Sequence, residues 1–255
     1  ICICTLLSAR FSLSVSETEI CKQIQFGSFE FQADSYFEIK SELKSKHFLP
    51  MAYVIKSKKS EITLPYLPKK SVLKDGTNVL IDYFDSQTDE AQIHDIMRYI
   101  VNEEGNSYPQ EDLSDIEDFR AYYLTHEVFV CRDPSSSLVL GSFYVKPNFP
   151  GRCSHICNAG FAVKKEARGK GVASVMVENY LQIGRDLGYK ASFFNLVFVN
   201  NKASVRLWEK YKFQNIGTIP NAGNLKGIGY TDARQFYYDL TTFFPPPFQS
   251  KDQIF

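Results

Sequence analysis

The chain has 255 residues, 44% of them hydrophobic, and carries 29 basic and 29 acidic side chains. That length suits one domain with an extension, and the apolar content allows a large core. A formal net charge of zero argues against a protein that binds nucleic acid by bulk electrostatics, because such proteins carry a basic excess. No apolar run reaches the roughly 20 residues that a membrane-spanning helix needs, so no membrane partner is predicted.

Residues 1–50 differ from the rest of the chain. The first methionine is Met51, and residues 1–15 are apolar with Arg10 as their only charge. A secretory or transit peptide is only weakly indicated, because the charged segment that opens a signal peptide is absent. We expect residues 1–50 to be an extension outside the functional fold, 51–74 a linker or strand-edge lead-in, 75–245 the domain, and 246–255 a tail.

Six cysteines are too few and too irregularly spaced for a disulfide scaffold. Cys153, His155 and Cys157 have the chemistry of metal ligands, but on a flat strand they would stand about 6.8 Å apart at each step. Ligands of one Zn²⁺ lie about 2.0–2.3 Å from the ion, so we predict no metal there. Reduced thiols indicate a cytoplasmic protein, with a mitochondrial location left open.

The predicted elements are a mixture of strands and amphipathic helices. In chain order they are a strand at 79–84, helices at 90–102 and 111–124, a hairpin of 128–132 and 138–145, a strand at 154–163, a helix ending near 187, a strand at 192–198 and a helix that begins after residue 201. Thr88 or Asp89 is placed to cap the first helix, and Gly105 to end it. This order predicts an α/β (α+β) fold with a mixed, mostly antiparallel central sheet and helices on both faces.

A glycine-rich loop joins the strand that ends at Val163 to the following helix. Its residues are Arg168, Gly169, Lys170, Gly171, Val172 and Ala173. The N–H groups at a helix N-terminus lack intrahelical partners and favour negative charge, and glycine lets them approach a phosphate closely. Arg168 and Lys170 can add charge-assisted contacts. The pattern predicts a pyrophosphate site, although an ordinary basic turn before a helix has the same composition.

Residues 168–173, followed by the pattern NxxSxxLWxKxxF at 201–213, resemble the GCN5-related N-acetyltransferase (GNAT) superfamily. The first segment resembles its coenzyme A pyrophosphate loop, and the second the helix that flanks the pantetheine arm. The resemblance implies the GNAT fold, acetyl-CoA as donor, an amine as acceptor, and Asn201 and Ser204 near the coenzyme. Trp208 stands where the superfamily often has a tyrosine that protonates the leaving thiolate. That role is therefore open, and Tyr211 is a weak substitute.

Four further segments, at 104–110, 141–148, 152–161 and 194–201, resemble the yeast L-azetidine-2-carboxylate (proline-analogue) N-acetyltransferases. This narrower resemblance implies acetylation of a small cyclic secondary amino acid. Asn158 and Asn195 match the substrate-binding asparagines of those enzymes. The resemblance also implies a homodimer, built by C-terminal strands near 216–229 and 236–240.

Asn195 interrupts the otherwise apolar stretch 193–199, and Asn158 directly precedes another apolar stretch. A buried amide without partners costs about 1–3 kcal/mol. Asn195 could bond a loop backbone or face a water-filled bulge, or both amides could converge on one small polar ligand. We favour the ligand. Asn201 precedes a helix, so it is also a candidate N-cap.

We predict direct attack of a neutral amine on the thioester, because no histidine or carboxylate stands out beside the asparagines and His155 has the opposite strand parity to Asn158. The proton would leave through ordered water, and backbone N–H groups near Phe161 and Val163 would hold the thioester oxygen. Asn158 and Asn195 would contribute to catalysis by positioning. The alternatives are an acetyltransferase for a different small amine or a peptide, a non-catalytic acyl-CoA-binding module, and an interaction domain.

Overall fold

The computed structural model describes residues 55–57 and 59–243, so the expectations for residues 1–50 and 246–255 lie outside the described residues. Nine strands occur in this part: β1 Lys69–Val72, β2 Asn78–Tyr83, β3 Glu127–Arg132, β4 Val139–Pro147, β5 Ile156–Asn158, β6 Phe161–Val163, β7 Ala191–Phe198, β8 Gln214–Leu225 and β9 Gly229–Asp239. The helices are α1 Glu90–Arg98, which continues as a π-helix over Tyr99–Glu104, then α2 Ile116–Tyr123, α3 Val172–Asp186 and α4 Lys202–Lys210.

All nine strands belong to one sheet in the order β1-β2-β3-β4-β5-β7-β9-β8, and β6 also pairs with β4. The β5–β7 pair is parallel, whereas the other pairs between described strands are antiparallel. The predicted mixed and mostly antiparallel sheet is therefore confirmed.

Helices cover both faces of the sheet, because successive strand residues point to opposite sides. On one face, α1 and α2 pack over Val130 of β3, Tyr144 of β4 and Ala162 of β6. On the other face, α3 and α4 pack over alternate residues such as Phe129 and Phe143. The two layers are called the α1/α2 face and the α3/α4 face below.

The predicted strand 154–163 is divided in the structure. A 3-10 turn occupies Gly151–Cys153, and the strand is interrupted at Ala159 and Gly160 between β5 and β6. Both pieces keep one register against β4, since Lys146 pairs with Asn158 and Phe143 with Phe161. What changes at the interruption is the pairing on the edge away from β4, because β5 pairs with β7 there and β6 does not.

Two boundaries and one helix cap differ from the prediction. The sheet begins at β1, inside the segment expected to be a linker or lead-in, because Leu64 and Leu73 on either side of β1 are buried in the core. Asp89 precedes α1 but does not cap it, since its carboxylate pairs with Arg132 at 2.9 Å. The second helix begins only at Ile116, where the Asp115 carboxylate accepts the N–H of Glu117 at 2.7 Å.

Gly105 ends the first helix in a left-handed conformation, with φ of 61°, as predicted. Among the described helices, none combines the length and apolarity that crossing a membrane requires.

Candidate active site

The sheet opens between β6 and the second half of β7. The first residues of β7 pair with β5, through Ile156 with Ala191 and Cys157 with Ser192. In the described part of the chain, β6 pairs only with β4. Because Lys164 donates its N–H to Leu140 of β4 and ladder residues alternate in direction, the N–H groups of Phe161 and Val163 point toward the opening. This is the placement that the predicted contact with a thioester oxygen requires.

The glycine-rich loop lies at the end of this opening, between β6 and α3. Gly169 and Gly171 have φ of 80° and 98°, a region that side chains rarely adopt. The carbonyl of Lys170 accepts the N–H of Lys74 at 3.2 Å, which ties the loop to the end of β1. Val172 and Ala173 form the first turn of α3, whose N–H groups have no intrahelical acceptor. The local geometry is suited to an anion.

Arg168 is engaged by a carboxylate. Its guanidinium donates to both oxygens of Glu104 at 2.6 and 3.0 Å, and its Nε donates to the carbonyl of Val163 at 3.3 Å. The Glu104 carboxylate, which follows α1, would therefore compete with a pyrophosphate for the guanidinium of Arg168. Lys170 is exposed in the same loop.

Three asparagine side chains meet on the α1/α2 face. The Asn148 Oδ1 accepts from Asn158 Nδ2 at 2.9 Å and from Asn195 Nδ2 at 2.6 Å. The Asn148 Nδ2 donates back to the Asn195 Oδ1 at 3.1 Å. The two asparagines singled out in the sequence thus converge, and the group on which they converge is a third asparagine. We call these three residues the asparagine triad.

Asn148 was missed as a site residue, although it ends one of the segments that carry the narrower resemblance. The usable signal was its parity. Asn148 lies one position past the end of β4 and two residues after Lys146, which pairs with Asn158, so continued alternation places all three on the same side. Sequence reasoning predicted that a loop backbone, a bulge or a ligand would satisfy the amide of Asn195. A register shift on β7 between Phe194 and Val197 places Asn195 in a bulge, where its hydrogen-bond partner is Asn148.

A group of tyrosines lines the same face beside the triad. Tyr108 donates its hydroxyl to the carbonyl of Phe161 at 2.8 Å, and the hydroxyls of Tyr122 and Tyr144 are 3.3 Å apart. Burial raises the pKa of all three phenols, so they are protonated at neutral pH. Lys146 lies over the rings of Tyr144 and Tyr122, with its Nζ 4.3 and 4.9 Å from the two centroids.

The segment 105–110, which we call the bridging loop, spans the opening from β6 to the end of β7. Tyr108 ties it to Phe161 of β6. Asn200 donates to the carbonyl of Asn106 at 3.0 Å, and Asn201 donates to the hydroxyl of Ser107 at 3.3 Å. The Oδ1 of Asn201 also accepts the backbone N–H of Ser204 at 3.1 Å, which confirms Asn201 as the N-cap of α4.

Trp208 and Tyr211 do not offer an acid to a leaving thiolate. The indole of Trp208 is buried, with ring centroids 5.2 Å from Phe161 and 4.4 Å from Phe194, as expected of a core residue. The hydroxyl of Tyr211 donates to the carboxylate of Glu178 at 2.6 Å. Burial, with that hydrogen bond, raises the pKa of Tyr211 and holds its proton.

The cysteine–histidine cluster is dispersed in the structure. Cys157 is buried with its Sγ 3.3 Å from the hydroxyl of Tyr180, and Cys153 is exposed. His155 contacts the carbonyl of Arg152 at 3.2 Å through Nδ1. Among the described residues, no three histidine, cysteine, aspartate or glutamate side chains could hold a metal ion.

A central sheet that opens beside a glycine-rich helix N-terminus, with polar side chains gathered at the opening, is the architecture expected of an acyl-CoA-dependent transferase. The sequence model of the acetyltransferase (GNAT) family matches residues 93–213. This segment is therefore similar in sequence to the GNAT acetyltransferases.

Solved structures share the fold. A GCN5-related N-acetyltransferase from Kribbella flavida aligns with a TM-score of 0.59 and 28% identity, over 63% of this chain and 97% of that one. YncA, a putative acetyltransferase from Salmonella typhimurium solved with its cofactor acetyl-CoA, aligns with a TM-score of 0.57 and 19% identity, over 66% and 98%. The predicted GNAT fold is confirmed.

Among curated proteins, the N-acetyltransferase aca1 of Schizosaccharomyces pombe is 50% identical over 101 residues. The match covers 39% of this chain and 48% of aca1, so the chain spans about half the length of this relative.

Proposed function

We propose that the protein transfers an acetyl group from acetyl-CoA to the amine of a small amino acid, such as L-azetidine-2-carboxylate or another proline analogue. The observation that carries the proposal is the asparagine triad, which gathers the amides of Asn158 on β5, Asn195 on β7 and Asn148 just after β4, next to the opening between β6 and β7. The match of residues 93–213 to the acetyltransferase family model supports the reaction type.

Acetyl-CoA would bind along the opening. Its pyrophosphate would contact the backbone N–H groups of Gly169, Gly171 and the first turn of α3, with Lys170 and Arg168 nearby. The thioester oxygen would accept from the N–H of Phe161 or Val163, both of which point toward the opening. Asn201 and Ser204 would lie beside the pantetheine arm at the start of α4.

The acceptor would occupy the α1/α2 face beside the triad. Asn158 and Asn195 would contact it directly, and Asn148 would hold both amides in place. An amide is neither an acid nor a base at neutral pH, so the contribution of these residues is orientation of the amine.

In the reaction, the neutral amine attacks the thioester carbon and forms the N–C bond. The tetrahedral intermediate then collapses, the C–S bond breaks, and coenzyme A leaves as a thiolate. Ordered water removes the amine proton and protonates the thiolate. Trp208 has no acidic proton to give, and the hydroxyl of Tyr211 donates to Glu178. We propose no acetyl-enzyme, and the buried thiol of Cys157 faces α3 rather than the triad.

Release of free thiol from acetyl-CoA tests this proposal. The purified protein is mixed with acetyl-CoA and L-azetidine-2-carboxylate, beside Asn195→Ala and the surface control Asn224→Ala on β8. We expect release that needs the amino acid, falls at least tenfold in N195A and persists in N224A.

Other outcomes identify the alternatives. If acetyl-CoA raises the melting temperature while no amine in a panel gives thiol, the protein is an acyl-CoA-binding module. Release with a polyamine or a peptide in place of the amino acid would retain the enzyme and change the acceptor. Absence of any effect of acetyl-CoA would contradict the proposal.

A further inference from the structure

Lys146 is a charged residue that stands directly opposite one member of the asparagine triad. It is the direct partner of Asn158 in the β4–β5 pair, and opposed residues of an antiparallel pair share one face. Asn148 follows it by two residues and faces the same side. Opposed Cβ atoms lie about 4.5–5.5 Å apart, so one small molecule can reach Lys146 and the triad together.

The ammonium of Lys146 is surrounded by aromatic rings and a backbone carbonyl, and no described carboxylate pairs with it. Its Nζ lies over the rings of Tyr144 and Tyr122 and donates to the carbonyl of Tyr122 at 3.2 Å, in the last turn of α2. That bond uses one of three N–H groups. Among residues 55–57 and 59–243, no carboxylate forms a salt bridge with Lys146.

A purely structural role does not need this arrangement. An exposed lysine can donate to the last carbonyls of a helix, whereas burial lowers the pKa of Lys146 to about 8 and so disfavours its charged form. The ammonium is nevertheless the major form at pH 7. A half-buried cation flanked by aromatic rings is complementary to an anion that arrives with a ligand.

We propose that Lys146 binds the carboxylate of the acceptor, while the asparagine triad orients its amine. This rests on the proposed acetyl transfer and narrows the acceptor to amines that carry a carboxylate. A polyamine would meet like charge at Lys146, and a simple cyclic amine would leave the ammonium without a partner.

The test compares two acceptors that share one ring: L-azetidine-2-carboxylate and azetidine, which lacks the carboxylate. The measured quantity is the ratio of their kcat/KM values in wild type, Lys146→Met, Lys146→Arg and the control Lys70→Met, an exposed residue of β1. We expect wild type and K70M to prefer the acid. The preference falls about 30-fold in K146M, the size expected for a charge-assisted hydrogen bond, and by less than tenfold in K146R. An unchanged preference in K146M would overturn the inference.

A binding measurement separates this inference from the proposed reaction. Calorimetric titration of the acid into the protein loaded with coenzyme A needs no turnover. Binding to wild type and K146R that is lost in K146M supports the role of Lys146 even if no thiol is released. Equal binding to wild type and K146M, or no binding to either, contradicts it. Melting temperatures of both variants that are no lower than that of the wild type show that the fold is intact.

Discussion

At Lys146, charge and burial oppose each other. Folding moves the ammonium from water into a layer of tyrosine rings, where it loses hydration. Its described contacts there are one hydrogen bond to a carbonyl and two ring faces. Stability alone would favour an apolar residue here. Sites that cost stability in this way are expected where function requires them.

Replacing Lys146 with methionine should stabilise the protein at neutral pH. The pKa is about 8 in the folded chain and about 10.5 in the unfolded one, so the unfolded state binds more protons between these values. The free energy of unfolding of the wild type therefore falls as pH drops from about 10.5 to 8, and the full penalty persists below 8. We expect K146M to gain up to about 3 kcal/mol at pH 7 and less at pH 9.5, by urea unfolding.

The neighbours of Lys146 do not reverse this expectation. The pKa values of Tyr122 and Tyr144 are raised by burial, and that of His126 is lowered by burial and by the charge of Lys146. The phenols and the imidazole are neutral at pH 7. A lower stability of K146M at pH 7 would show that the carbonyl and ring contacts outweigh desolvation.

Gly160 allows the tyrosine layer to close. A Cβ added there would lie 2.5 Å from Cε1 of Tyr144, a ring held by Tyr122 and Tyr123 in edge-on contacts. We expect Gly160→Ala to cost about 1–3 kcal/mol in urea unfolding and to raise the KM for the acceptor, because Tyr144 supports Lys146. Gly184→Ala is the matched control, since its Cβ would meet Leu240 at 3.3 Å. Similar losses in the two variants would argue against a specific role for Gly160.

The elements were largely predictable because their hydrophobic periods are local. The strand 192–198 and the helix ending near 187 were placed within a residue or so, since each carries an apolar face of its own. The division of the strand 154–163 into β5 and β6 was not predictable from local periodicity, because it depends on pairing with β7, which contacts β5 alone. The contact of Arg168 with Glu104 joins residues far apart in sequence and gives no periodic signal.

At the start of α3, Gly171 is required by backbone geometry. Its φ of 98° is unfavourable for alanine, and its Cβ would lie 3.1 Å from Cγ of Lys74. We expect Gly171→Ala to weaken acetyl-CoA binding at least tenfold in calorimetry. Gly76→Ala is the control, with a similar φ of 86° and no atom within 4 Å of its Cβ. If G76A lost as much affinity as G171A, general strain rather than the loop would be responsible.

The pair of Arg168 and Glu104 links the end of α1 to the same loop. Their side chains are 38% and 23% exposed, so Glu104→Gln should change the free energy of unfolding by less than about 1 kcal/mol. Because the carboxylate competes with a phosphate for the guanidinium, E104Q should bind acetyl-CoA a few-fold more tightly at low salt. Arg168→Ala should bind it more weakly. Unchanged affinity in both variants would remove Arg168 from the coenzyme site.

Across the whole molecule, the two edges of the sheet differ. In the part of the chain that the structure describes, β8 is a 12-residue edge strand, and Ile216 and Ile219 on it are 55% and 37% exposed. Such an edge is open to pairing with another chain. The predicted homodimer would use this region of the chain.

Light scattering should therefore give about twice the 29.2 kDa mass of one chain. We expect Ile216→Asp to shift the protein toward the monomer. Val72→Asp, on the exposed opposite edge at β1, should leave the mass unchanged. A monomeric wild type at micromolar concentration would show the dimer prediction to be wrong.

The two layers of the sheet have a consequence for inhibitor design. The triad and Lys146 belong to the α1/α2 face, whereas α3, whose first turn is the proposed pyrophosphate site, packs on the other. Donor and acceptor would then enter from opposite sides and meet within the plane of the sheet. A bisubstrate compound would have to pass between β6 and β7, beneath the bridging loop, and contact both faces of the sheet instead of binding in a cleft on one face. Its tether would have to match the width of that passage, so the tether would determine selectivity.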